Sequence, residues 1–304
     1  MFLSGLVVMC VLFGIPMTVG AQPAAKDAPT YVQPAENLML IVADLQRHLN
    51  DDTYRFPVAT DVTGQNVFRA TVARLANYQT LYPDKMRDLV SMAMAQAFEK
   101  LGDYALAVAN YETAKASPDP QVAKAAEEGQ KRALRFVAVV NQQVDQTALR
   151  PYERDMKKKI ADLDALAAEF RGTPWQSQAL LERERADLQM AQFYTAMRFM
   201  QPYTTEDAVK QLKGNLDRYK DSKNRYLHHL LLADFHFLLA REYTLLHDPD
   251  GPEFSMRAFE GFSDPARSEY RIVEQADGYP EKLEARAKMM ALEAFVESVT
   301  EKAR

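Results

Sequence analysis

Residues 91–118 read SMAMAQAFEKLGDYALAVANYETAKASP, and this stretch decides the fold. Small and apolar residues recur three and four apart on either side of Gly102-Asp103, the pattern of two short amphipathic helices joined by a tight turn. The same period returns further out. Leu38, Val42, Leu45 and Leu49 line one face of a first helix expected at 35–49. Phe68, Val72, Leu75, Tyr78 and Leu81 line a second, and Ile160, Leu163, Leu166 and Phe170 another. Leu227, Leu230, Leu231, Phe235, Leu238 and Leu239 mark a helix apolar enough to be nearly surrounded. Only 11 glycines occur in 304 residues, good helix formers dominate, and no alternating β-branched run nominates a strand. The expected class is all-α. The longest non-helical connection is DTYRFPVATDVTGQN, 52–66, broken by Pro57 and Gly64.

Helix ends repeat as well. In NYQTLYPDKMRDL, AAEFRGTPWQSQAL and EQADGYPEKLEARA an apolar helix ends in an aromatic (Tyr82, Phe170, Tyr279), meets a proline (Pro83, Pro174, Pro280) and restarts. Proline suits the first turn of a helix, where its missing amide would have no partner, and it ends the helix before it. In the hairpin around Gly102, Ala95 and Phe98 supply a small residue and an aromatic on the first helix. Ala107, Tyr111 and Ala114 make a small–aromatic–small ladder on the second, and Pro118 closes the unit. This resembles a tetratricopeptide repeat over about 35 residues, one repeat length of that family. Ser91 stands where the family usually has a large aromatic. The resemblance implies an α-solenoid of antiparallel helical hairpins whose alanines permit close helix contact. It implies a partner surface on the first helices, to which Met92, Gln96, Glu99 and Lys100 would contribute.

Residues 2–19, FLSGLVVMCVLFGIPMTV, carry no charge, and Val19-Gly20-Ala21 offers a small-residue cleavage site before Gln22. That is the pattern of a secretory signal peptide over 1–21 and points to a periplasmic or secreted protein. A run of about 18 apolar residues also just spans a bilayer, so an uncleaved anchor is the competing reading. The single cysteine, Cys10, lies in this segment, and Met9 before it is too large for a lipid-attachment box. The processed chain is therefore expected to have no disulfide, thiolate nucleophile or cysteine metal site. Residues 22–34 read as a flexible leader rich in Pro and Ala, and 35–304 as the helical repeat domain.

Net charge is −5 with the signs interspersed, so no basic stripe marks a nucleic-acid surface. Lys157-Lys158-Lys159 reads as a solvated helix face. His228, His229 and His236 share a helix but lack the i, i+4 pair of a zinc site, which favours packing over metal binding. HDPDGPEF, 247–254, has too few correctly spaced oxygen ligands for calcium and reads as a turn. Trp175, after Pro174 at a helix start, reads as core. No phosphate loop, nucleophile elbow or HExxH occurs. The expectation is a non-enzymatic scaffold that needs no cofactor or metal and binds a protein or peptide partner. A structural component of an envelope complex and a helical enzyme are the alternatives.

Overall fold

A computed structural model of the chain describes residues 33–49 and 66–303. Among the described residues there are eleven helices and no strand: α1 (Pro34–Leu49), α2 (Asn66–Leu81), α3 (Arg87–Leu101), α4 (Tyr104–Ala114), α5 (Pro120–Val140), α6 (Leu149–Glu169), α7 (Pro174–Met197), α8 (Thr204–Arg218), α9 (Arg225–Leu246), α10 (Met256–Glu274) and α11 (Glu281–Lys302). The all-α class expected from composition and period is the class observed. The apolar run 2–19, its cleavage site, the leader up to Val32 and most of the 52–66 connection lie outside the described residues.

Marginal contacts aside, each helix packs on the next or the next but one. α1 touches α2 and α3, α3 touches α4 and α5, and α9 touches α10 and α11. Contacts that stay local along the chain are what stacked hairpins produce. None of the described helices is long and apolar enough to cross a membrane.

The quoted stretch folds as α3, a turn and α4. Gly102 takes the left-handed conformation (φ 82°), and its N–H and that of Asp103 bond the carbonyls of Glu99 and Phe98 at 3.1 and 2.9 Å. This is the glycine-ended helix stop that a side chain at Gly102 would strain. Ala95, Ala107, Ala114, Ala126 and Ala133 have no exposed area and surround the buried ring of Tyr111. Gly129 of α5 is part of the same contact, since a Cβ there would lie 2.5 Å from that ring. α5 begins as its sequence dictates: Asp119 accepts the Gln121 N–H at 2.8 Å, and Pro120 takes the first helical position.

The three prolines differ more than their motif suggests. Pro174 opens α7 and Pro280 immediately precedes α11, but Pro83 lies in the turn ahead of α3, which starts only at Arg87. Leu81, expected inside, is 59% exposed at the end of α2. The remaining apolar faces are placed as expected, with Leu38, Leu45, Phe68, Leu75, Tyr78, Leu163 and Leu166 buried. HDPDGPEF is a turn, with the Gly251 N–H on the Asp248 carbonyl at 2.8 Å.

Candidate binding groove

α1, α3 and α5, the first helices of three successive hairpins, line a groove of about 700 Å³. Its walls are mostly hydrocarbon: Leu38, Met39, Val42, Leu89, Met92 and Val122. Met39 is 70% exposed, and Met86 and Leu89 are 39% and 38% exposed. Gln46 and Gln96 bridge α1 and α3 through one amide hydrogen bond of 3.1 Å. Met86 sits just before α3 in the left-handed conformation, φ 50°. That backbone costs a side-chain-bearing residue about 1–2 kcal/mol and is retained here at the groove's edge.

The four residues expected on this surface separate into two pairs. Met92 and Gln96 line the groove. Glu99 and Lys100 do not, and their expected place on an open charged surface has to be corrected. Glu99 has no exposed area, and Lys100 is 9% exposed. The Glu99 carboxylate accepts from Arg132 Nε and Nη2 at 3.0 and 2.8 Å and from the Tyr111 hydroxyl at 2.5 Å. Burial pushes its pKa up, opposed mainly by Arg132. The Arg132 guanidinium in turn lies 3.6 Å from the centre of the Trp175 ring, and Trp175 packs against Phe136, Leu166 and Ala179. Glu99 shares the helix face of Met92 and Gln96 at steps of four and three, but lies further along α3, where Arg132 of α5 covers it and Trp175 of α7 lies against Lys100, so the pair ties one hairpin to the next.

A second concavity, of about 770 Å³, is lined by Gln178, Leu181, Arg183, Glu184, Tyr219 and Ser222 among others. Glu184 of its lining, and Asp187, which the lining residues Arg183, Arg218 and Tyr219 hold, are already engaged. Glu184 accepts from the Ser222 hydroxyl at 2.9 Å, from the Asn224 amide at 3.3 Å, and faces His228 Nε2 at 2.6 Å. Asp187 is bonded by Arg183, by Arg218 at 2.9 Å and by the Tyr219 hydroxyl at 2.6 Å. Deeper still, Glu182 accepts from the Tyr104 hydroxyl of α4 at 2.9 Å. Five polar residues of α7, Gln178, Glu182, Arg183, Glu184 and Asp187, are thus buried with partners mostly on other helices. Composition hides them, but helical phase does not. Glu182, Arg183 and Asp187 continue the interior register of Ala179, Ala186, Met190 and Tyr194 at steps of three and four.

The three histidines of α9 are separated by their contacts. His228 meets Glu184, His229 Nδ1 meets Glu269 at 2.6 Å, and neither ring nitrogen of the buried His236 has a partner. No grouping of three His, Cys, Asp or Glu suited to a metal occurs among the described residues. Lys159 leaves the expected solvated face, and its ammonium donates to the Val140 carbonyl at 2.7 Å. Compared with protein-family models, with curated proteins and with solved structures, the chain matches none.

Proposed function

We propose that this chain is a non-enzymatic helical-repeat scaffold of the tetratricopeptide type, exported from the cytoplasm, that holds an apolar peptide segment of a partner protein along α1, α3 and α5. The observation that carries this reading is the groove itself: one face, built by the first helices of three successive hairpins, on which methionine and leucine remain exposed. Apart from Asp119 its polar groups are uncharged amides, so the fitting segment is nearly uncharged, with apolar side chains as anchors. Methionines suit such a surface because they repack around different side chains. Export rests on the uncharged run 2–19 and the Val19-Gly20-Ala21 site.

Selection of binders from a displayed peptide library tests the reading. Selected peptides should carry two or three apolar anchors and little charge, and should lose binding to the Met39→Lys, Met92→Lys double variant. Met86→Gly separates binding from folding. It relieves the left-handed backbone, so stability should stay within about 1 kcal/mol of wild type or rise, while peptide affinity falls. Peptides that bind the double lysine variant as tightly as wild type would place the partner surface elsewhere.

A further inference from the structure

A different surface lies between α8 and α10. A groove of about 810 Å³ there is lined by Val209, His236, Leu239 and Phe262 and flanked by Gly214 of α8 and Gly261 of α10. Both glycines are inside helices, where glycine is the costliest ordinary residue after proline. Packing within the chain does not require them, since a Cβ at either would meet nothing within 4 Å. They leave the groove walls bare of side chains at these two positions. Pro265 lies four residues after Gly261 and has no N–H, so the Gly261 carbonyl lacks its usual helical donor. His236 is 7% exposed, lines the groove, and leaves both ring nitrogens without a partner. An orphaned buried polar group is costly unless something else completes it.

The rim shows what would dock there. Glu206, Lys210, Lys213 and Asp217 are exposed, border the groove and follow one another along a single face of α8 at steps of four, three and four. None of the four forms a hydrogen bond or ion pair through its side chain among the described residues. The stripe extends about 16 Å along the helix axis, three turns of an opposing helix.

We propose that the α8–α10 groove seats one α-helix of a partner protein, with acidic residues at its centre opposite Lys210 and Lys213 and basic residues on either side opposite Glu206 and Asp217. The glycines let that helix approach closely. A second copy pairing α8 with α8 is disfavoured, because the stripe reads minus, plus, plus, minus from either end and sets like charges opposite each other. An extended polyanion meets Glu206 and Asp217. This surface is separate from the α1–α3–α5 groove and stands or falls on its own test.

The probe is an alanine-based helical peptide with Lys, Glu, Glu and Lys at the same four-three-four spacing, alongside a peptide with every sign inverted. Each is titrated into the full chain at low ionic strength, followed by the amide resonances of Gly214 and Gly261 and the ring signals of His236. The matched peptide should shift all three, and the inverted one should bind about tenfold more weakly or worse. Salt near 1 M should weaken the matched complex, because the screening length drops to about 3 Å. Gly214→Leu with Gly261→Leu should abolish binding while the circular dichroism spectrum is kept, since a Cβ at either position meets nothing within 4 Å. Met92→Lys should leave binding unchanged. Equal binding of the two peptides, absence of shifts with either, or a dimer lost in the double leucine variant would overturn the proposal, the last by assigning the face to a second copy.

Discussion

The α3–α5 block and the α7 junction solve one problem, closing a helix against its neighbours, with opposite chemistry. In the block, alanines with no exposed area and one glycine surround Tyr111, and helices come close because almost nothing projects between them. At the junction, Glu182, Arg183, Glu184 and Asp187 project into the interior and are matched to partners on α4, α6, α8 and α9. Small-residue packing fails by overfilling. Charge packing fails by losing one member of a pair, which leaves the other buried without compensation. The difference also decides where a partner can bind. The junction's polar groups face one another, whereas the block's first helices keep Met86, Leu89 and Met92 along an open groove.

The largest expected effect is at the junction. Asp187→Ala removes the carboxylate shared by Arg183, Arg218 and Tyr219, and should cost about 3–5 kcal/mol in urea denaturation. A loss below about 1 kcal/mol would show that these charges are solvated enough to dissolve the contrast. In the block, Ala107→Leu and Gly129→Ala should each cost about 1–3 kcal/mol, because new atoms must enter a filled contact. If either proves neutral, the hairpins are less tightly apposed than the Tyr111–Gly129 contact requires.

A pH series separates the two regions further, since α3–α5 contains no histidine and α9 carries three. Burial, with Lys213 of α8 adding to it and Glu269 of α10 opposing, holds the His236 pKa below 6.5. The unfolded chain therefore takes up its proton first. Stability present above pH 6.5 should be lost as pH falls toward the folded value. His236→Phe should flatten part of that slope, whereas Ala107→Leu should shift the whole curve without changing its shape. An unchanged slope in His236→Phe would mean that other groups carry the acid sensitivity. Smallest of all, Gln96→Leu on the groove should stay within about 0.5 kcal/mol of wild type. A cost equal to that of Ala107→Leu would erase the distinction between groove and contact.

The sequence by itself determined the helical class, most helix faces, and the turn at Gly102, because period and left-handed glycine are local properties of the chain. It also brought out the ladder of Ala95, Ala107, Tyr111 and Ala114, and it placed Met92 and Gln96 together on one helix face. Only the tertiary structure decided that Glu99 and Lys100, one turn further along α3, are covered, because exposure depends on what lies opposite. Arg132 and Trp175, from helices well downstream, cover them. The charged interior of α7 was legible only in part: phase put Glu182, Arg183 and Asp187 on the face of Ala179 and Ala186, but residue type gave no sign of what would neutralise them. Glutamate and arginine read as surface until the structure supplies Tyr104, Asp164 and His228 as partners, and those lie up to 78 residues away. Periodicity encodes which residues share a face. Whether that face meets water, hydrocarbon or an opposite charge is settled only when the helices stack.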